Sequence, residues 1–200
     1  MGRPGTEVRM AEGTVEGQGR RILGAVLAGG RSSRFGSDKA MALLDGRPLI
    51  DHCVAMLMPF ADDIVICGRD HPDLTCIADR PARDLGPLGG LNAALAHARA
   101  EGFAAVLTMA CDTPVVPSAL LEELIARPGG AYLRHLPIAG YWPVALADPL
   151  DGHLTAGGDR SVRRWAATVD VPGIAHDPVP NINSPEDLSA MAERTGTGPI

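Results

Sequence analysis

Apolar residues form short continuous runs that alternate with stretches in which they recur every three or four positions. The runs predict strands buried on both faces of a sheet, and they are Ile22–Ala28, Asp63–Cys67, Leu74–Ala78 and Ala104–Ala110. The spaced positions predict amphipathic helices; they are Leu49, Ile50, Cys53, Val54, Leu57 and Phe60 in one stretch, and Leu88, Leu91, Leu95 and Ala98 in another. Strands that alternate with helices predict an α/β fold with a mostly parallel central sheet and helices on both faces.

The second half of the chain has a less regular pattern. The segments Tyr132–His135 and Ala139–Ala145 predict a hairpin that turns around Pro137. Further on, Ser184 precedes Pro185, Glu186 and Asp187, which is the order of a capping hydroxyl, a first-turn proline and acids near the positive end of a helix dipole. We therefore expect a helix to begin at this point.

Composition limits the classes of function. The 200 residues, 46% of them hydrophobic, suit one globular domain, expected over residues 21–195 after a loose tail at 1–20. The net charge of −6 gives no general attraction for nucleic acid. The four cysteines form no C-x-x-C pair, and no segment has the ~20 apolar residues that span a bilayer. These features favour a cytoplasmic protein with reduced cysteines and no membrane partner.

Candidate chemistry lies directly after three of the predicted strands. A loop over 29–39, which begins with two glycines and contains three basic residues, follows the first strand, and Asp79 and Asp112 follow two others. Ligands of open α/β sheets bind beyond the carboxyl ends of the strands, so we expect these segments to share one site. Glycine amides and basic side chains suit phosphate groups. The loop matches neither G-x-x-x-x-G-K-[ST] nor G-x-G-x-x-G.

Asp112 is the candidate ligand for Mg²⁺, which prefers carboxylate oxygens and usually completes its shell with water and substrate phosphates. A turn-initiating aspartate before Thr113-Pro114 is the alternative. Asn181 and Asn183 alternate with one apolar residue, so both side chains would lie on one side of an extended segment and accept from a ligand. Turn and cap chemistry before Ser184 remains the alternative for them.

Motifs in these segments resemble, in order from residue 22 to about 192, those of molybdenum-cofactor guanylyltransferases. The loop is similar to their L-A-G-G-x-S-x-R-M-G-x-D-K signature, and later segments are similar to G-x-P-L, G-P-L-x-G, C-D-x-P and N-x-N-T-P-E-D-L. The matching segments are Leu27-Ala28-Gly29-Gly30, Ser33-Arg34-Phe35-Gly36, Asp38-Lys39, Gly46-x-Pro48-Leu49, Gly86-Pro87-Leu88-x-Gly90, Cys111-Asp112-Thr113-Pro114 and Asn181-Ile182-Asn183-Ser184-Pro185-Glu186-Asp187-Leu188.

The resemblance implies a single Rossmann-like nucleotidyltransferase domain and a reaction in which the terminal phosphate of molybdopterin attacks the α-phosphorus of GTP and releases pyrophosphate. It implies Mg²⁺ as cofactor, GTP and molybdopterin as substrates, and transient contact with carrier or acceptor proteins. Lys39 and Asp112 would be catalytic, with Asp112 also holding the metal. Nucleotide-binding residues would be Leu27, Ala28, Gly29, Gly30, Arg34, Lys39, Asp79 and Asp112. Arg163, Arg164, Asn181 and Asn183 would lie on the pterin side, with a solvated helix face as the alternative for the two arginines.

The sequence departs from the family pattern at three places. Phe35 replaces methionine, Ser184 replaces threonine, and Cys67-Gly68 stands where the family often has an asparagine. The nearest rival is a CTP-dependent relative, whose motif usually reads L-A-A-G. A sugar-phosphate nucleotidylyltransferase and a non-catalytic nucleotide-binding regulator are further alternatives.

Overall fold

The computed structural model of the protein describes residues 20–29 and 38–195. Its strands are β1 Ile22–Leu27, β2 Leu43–Leu44, β3 Arg47–Pro48, β4 Asp63–Cys67, β5 Thr75–Ile77, β6 Ala105–Ala110, β7 Ala131–Leu133, β8 Leu136–Pro143 and β9 Gly173–Ile174. Its helices are α1 Leu49–Leu57, α2 Pro87–Ala100, α3 Ser118–Ile125, α4 Ala147–Thr155, α5 Val162–Thr168 and α6 Pro185–Thr195. The predicted tail, except Arg20, and the predicted nucleotide-binding residues Gly30 and Arg34 lie outside the described residues.

Seven strands form the central sheet in the order β5-β4-β1-β6-β8-β7-β9. The first four are parallel to one another, β8 runs antiparallel to both of its neighbours, and β9 is parallel to β7. Strand β8 is therefore the single strand of this sheet with reversed direction. The predicted mostly parallel α/β sheet is confirmed.

Each face of the sheet covers its own apolar core, because side chains alternate along each strand. Leu23, Ala25 and Leu27 of β1 pack with residues of α2, α4 and α5 on one face. Val26 packs with residues of α1 and α3 on the other face. The prediction of helices on both faces is confirmed, and the continuous apolar runs in β1 and β6 follow from this double burial.

The predicted hairpin exists, but its turn is not at Pro137. The turn lies at Arg134 and His135, and Pro137 is the second residue of β8. Pairing of β8 with β6 covers only residues 140–143, and pairing with β7 is irregular near Leu133. Proline lacks a backbone N–H, so it is tolerated at this loosely paired start of the strand.

Candidate active site

The carboxyl ends of the four parallel strands meet at one edge of the sheet, and backbone hydrogen bonds join the residues that leave them. The Ala28 N–H donates to the Cys67 carbonyl at 3.0 Å, and the Gly68 N–H donates to the Ile77 carbonyl at 2.9 Å. The Cys111 N–H donates to the Leu27 carbonyl at 3.4 Å. The segments after β1, β4, β5 and β6 are thus brought together, as expected from the sequence.

Lys39 lies at the centre of this edge. Its Nζ donates to Asp112 Oδ2 at 3.1 Å and to Asn183 Oδ1 at 3.0 Å. The Lys39 side chain is 12% exposed and the Asp112 side chain 28% exposed. An ammonium group held between two oxygen acceptors in a partly desolvated site is a preorganised positive charge.

Asn183 is held in place by its own segment. The Ile182 N–H donates to the Asp112 carbonyl at 2.8 Å, and the Ile182 side chain is fully buried. Asn181 and Asn183 on either side of it are exposed, so the expected alternation is confirmed. The structure brings Asn183 to Lys39, which sequence spacing alone did not indicate.

The helix start at Ser184 is a reciprocal capping arrangement. Ser184 Oγ accepts from the Asp187 N–H at 3.2 Å, while Asp187 Oδ2 accepts from the N–H groups of Asn183 at 2.8 Å and Ser184 at 3.0 Å. The Asn183 N–H is the main cause that lowers the pKa of Asp187. The predicted cap is confirmed, and it also fixes the backbone of Asn183.

Asp79 lies among four glycines where β5 leaves the sheet. A carboxylate oxygen of Asp79 would lie 3.2–3.7 Å from a Cβ added at Gly29, Gly68, Gly89 or Gly90. Burial raises the pKa of Asp79, and the negative charge of Asp84 raises it further. Within the described residues no hydrogen bond satisfies this carboxylate, so it is an acceptor able to bind a ligand's N–H or O–H.

Gly68 lies in the stretch where the sequence departs from the family pattern, and it makes a close backbone contact. Its φ is +84°, and a Cβ there would lie 2.7 Å from the Cα of Gly29. Only glycine allows the segment after β4 to approach the glycine loop this closely.

The two arginines predicted on the pterin side are exposed and make other contacts. Arg163 donates to the Arg134 carbonyl at 2.7 Å, and Arg164 forms an ion pair with Asp159 at 2.7 Å. Neither is hydrogen bonded to Lys39, Asp112 or Asn183 in the described part of the chain. The structure therefore gives Arg164 a local partner and does not bring either side chain to the lysine.

One pair at this edge escaped the sequence analysis. Arg69, directly after Gly68, forms a two-pronged ion pair with Asp38, the residue before Lys39. The sequence offered one signal for Arg69: it is a charged residue two positions beyond a buried strand, at the edge of the sheet where ligands bind.

Comparison with known proteins fits this geometry. The family model of the MobA-like NTP transferase domain matches residues 24–176. The chain is 36% identical to a molybdenum cofactor guanylyltransferase of Rhodobacter capsulatus, over 87% of this chain and 96% of that protein. It is 35% identical to a protein of the same name from Rhizobium leguminosarum bv. trifolii, over 86% of this chain and 92% of the relative. The chain belongs to the MobA-like NTP transferase family.

Solved structures support the fold of this MobA-like domain. A crystal structure of molybdopterin-guanine dinucleotide biosynthesis protein A from Archaeoglobus fulgidus superposes with a TM-score of 0.70 at 24% identity, covering 87% of this chain and 98% of the other. A 2-C-methyl-D-erythritol 4-phosphate cytidylyltransferase from Thermus thermophilus superposes with a TM-score of 0.63 at 15% identity, covering 86% of this chain and 97% of the other. The fold is thus that of nucleotidyltransferases with different acceptors.

The described residues of this MobA-like domain lack two kinds of feature. They contain no group of three or more histidine, cysteine, aspartate or glutamate side chains arranged to hold a metal ion. None of the helices there has the length and apolar character needed to span a bilayer.

Proposed function

We propose that this nucleotidyltransferase moves GMP from GTP to the terminal phosphate of molybdopterin in the molybdenum cofactor, with release of pyrophosphate. The observation that carries the proposal is the Lys39 ammonium, held by Asp112 and Asn183 at the carboxyl edge of a family-typical sheet. Relatives named molybdenum cofactor guanylyltransferase over most of the chain support the choice of substrates.

Lys39 acts on the phosphates. Charge that moves onto the bridging and non-bridging oxygens during transfer is stabilised best by a cation already in place. Lys39 is partly buried and fixed at Nζ, so little reorganisation is needed when it transfers its hydrogen bonds from Asp112 to phosphate oxygens. The nucleophile is an anionic phosphate, so the reaction requires no general base.

Gly29, Gly68, Gly89 and Gly90, the glycines around Asp79, form the glycine edge of the site. In this proposal the glycine edge receives the nucleotide. The end of β1 from Leu27 through Ala28 to Gly29 lies beside Asp79 and has no bulky side chain at its exposed end. We assign Asp79 the role of hydrogen-bond acceptor for donor groups of the base or ribose. Its raised pKa is consistent with this role, because a ligand donor would offset the burial of the carboxylate.

Mg²⁺ is part of the proposal, and the donor set fits it. The Lys39 ammonium occupies only Oδ2 of Asp112, and the Asn183 amide contributes a second hard oxygen at the same place. One carboxylate with substrate phosphates is a common way to hold this ion. Mg²⁺ held by Asp112, with Asn183 beside it, would neutralise phosphate charge when bound.

The acceptor is proposed to bind on the side of Asn181, Asn183 and the α5 arginines. Arg163 has its guanidinium anchored to a backbone carbonyl and no carboxylate partner within the described residues, so it suits an anionic ligand better than the paired Arg164. The cytoplasm as working compartment is supported by the four free thiols. Contact with carrier or acceptor proteins belongs to the same proposal.

A nucleotide panel tests the substrate assignment. We expect calorimetry with Mg²⁺ to give tighter binding of GTP than of CTP, UTP or ATP, and turnover with molybdopterin to require GTP. The Arg99→Met variant, which removes an exposed ion pair between α2 and α4, is the matched control and should behave like the parent. Equal or tighter CTP binding would overturn the guanine assignment in favour of a cytidylyltransferase.

A further inference from the structure

The guanidinium of Arg69 meets the carboxylate of Asp38 end-on, with two hydrogen bonds. Nη1 donates to Oδ1 at 2.7 Å and Nη2 donates to Oδ2. The pair joins the loop after β4 to the residue that precedes Lys39. Asp38 also begins the 3₁₀ turn of Lys39–Met41, where its carbonyl accepts from the Met41 N–H at 3.1 Å.

This ion pair differs from the other arginine–carboxylate pairs of the described residues. The Arg69 side chain is only 20% exposed, whereas the arginines of the pairs Arg99–Asp148 and Arg127–Glu123 are 52% and 48% exposed. Exposed pairs of that kind contribute little to stability. The Nε of Arg69 is buried and has no hydrogen-bond partner within the described residues. Among the described residues, Asp38 is thus the hydrogen-bond partner of the Arg69 side chain.

The two ends of Lys39 are fixed by different segments. At the ammonium end, Asp112 and Asn183 accept from Nζ. At the backbone end, Arg69 ties Asp38 to the end of β4, beside the glycine edge. When a phosphate takes the place of Asp112 and Asn183 on the ammonium, the lysine backbone is still restrained by the Arg69–Asp38 pair and by its 3₁₀ turn, whose Ala40 is buried among residues of α1.

We propose that Arg69 is a positioning residue, which acts through Asp38 to place Lys39 against the transferred phosphate. The proposal rests on the role given to Lys39 in the proposed function. Arg69 itself need not touch the substrate, because the proposed effect is transmitted through its two hydrogen bonds to Asp38. Displacement of a catalytic group by about 1 Å can lower the rate about 100-fold, so a fixed backbone origin matters for a side chain as long as lysine.

The test is a double-mutant cycle between Arg69→Met and Lys39→Ala, measured as kcat, KM for the nucleotide and melting temperature. Methionine keeps an unbranched apolar stem and removes the fork. We expect Arg69→Met to lower kcat by about 10-fold to 100-fold with little change in KM. In the Lys39→Ala background, Arg69→Met should lower kcat no further, because the lysine that Arg69 positions is already absent.

Two more variants keep the test decisive. Asp38→Asn is nearly isosteric and should reproduce the loss of kcat even if Arg69→Met is poorly folded. Arg69→Lys keeps the charge without the two-pronged contact and should recover activity only in part. Arg99→Met, which removes a similar pair far from the sheet edge, should leave kcat unchanged.

Three results would overturn the proposal. A rise in KM at unchanged kcat would mean that Arg69 contacts the nucleotide directly. Equal losses of kcat with and without Lys39 would mean that Arg69 has a general structural role. A loss of activity that parallels a fall in melting temperature would mean the same. The cycle is run with whichever nucleotide the panel identifies as substrate. A wrong guanine assignment therefore leaves this test intact, since the phosphates are common to all nucleoside triphosphates.

Discussion

Asp112 uses its carboxylate and its backbone carbonyl for different contacts. In the described structure it accepts from the Lys39 ammonium through Oδ2, while its backbone carbonyl accepts from Ile182. The carbonyl contact is structural and survives any change of the side chain. Removal of the carboxylate charge therefore tests its contact with Lys39 and its proposed metal role separately from the backbone contact.

We expect Asp112→Asn to lower Mg²⁺-dependent turnover by about 100-fold to 1,000-fold, as is typical when one preorganised electrostatic contact is lost. The melting temperature should change little, because the amide oxygen can still accept from Lys39 and Asn183 Oδ1 still binds the ammonium. Turnover at several Mg²⁺ concentrations and thermal melting check this. Asp148→Asn, at an exposed acid on α4, is the control. Full Mg²⁺-dependent activity, or a variant that does not fold, would refute the metal role.

Asp79→Asn should weaken GTP binding by about 10-fold or more while the protein becomes no less stable. A hydrogen bond donated to a charged acceptor contributes about 1.5–3 kcal/mol. Burial raises the pKa of Asp79, so folding favours its protonated form, and above the native pKa the ionised carboxyl lowers the free energy of unfolding. At neutral pH asparagine removes that penalty. Calorimetry measures the GTP affinity of Asp79→Asn and thermal melting measures its stability, with Asp84→Asn as the control. A clear fall in the melting temperature of Asp79→Asn would contradict this account.

The active-site edge depends on how the strands end. Segments after β1 and β4 touch backbone to backbone at Gly29 and Gly68, and the first turn of α2 presents Gly89 and Gly90 to Asp79. Glycine inside a helix is unfavourable by about 1 kcal/mol relative to alanine. Here the missing side chains leave room for a carboxylate and for a ligand, so the site is formed by the absence of Cβ atoms.

Gly68→Ala should both destabilise the fold and weaken nucleotide binding. The positive φ disfavours alanine by about 1–2 kcal/mol, and the new Cβ would lie 2.7 Å from Gly29 Cα, so the glycine edge must shift. Denaturant unfolding and GTP titration measure the two effects. Gly152→Ala is the matched control, because this residue of α4 has open space around it and should tolerate or gain from alanine. Equal behaviour of the two variants would show that the close approach is unimportant.

At the scale of the whole molecule, the two faces of one sheet carry separate apolar cores. Cys53 of α1 is buried in one core and Cys67 of β4 in the other. Burial raises the pKa of both thiols well above the usual range, and it raises the pKa of Cys111 to about 11. All three thiols are therefore protonated at pH 8 and react slowly with alkylating reagents in the folded chain.

We expect Cys53 and Cys67 to become reactive at the same denaturant concentration, since the two cores share every central strand and should unfold together. Pulsed alkylation at pH 8 with mass spectrometry of each cysteine peptide checks this. Cys76, which is partly exposed, is the internal control and should react before the transition. Different midpoints for Cys53 and Cys67 would show that the faces unfold independently.

The sequence by itself determined the strands β1, β4, β5 and β6, the helices α1, α2 and α6, the fold class and the family. Buried strands such as β1 are visible as continuous apolar runs, and the start of α6 is visible in Ser184 and the residues after it, because both signals come from neighbours along the chain. The motifs that indicate nucleotidyl transfer are local strings as well. Where local signals were weak, as in the loosely paired β8, the predicted turn was placed at the wrong residue.

Only the tertiary structure decided which of these pieces meet. The contact between Lys39 and Asn183 joins residues 144 positions apart, and the Arg69–Asp38 pair spans 31 positions. The need for glycine at position 68 follows from its approach to Gly29, on a neighbouring strand. These contacts depend on strand order, with β1 between β4 and β6. The spacing of residues along the chain specifies each element and its buried face, but it leaves open which strand lies beside which.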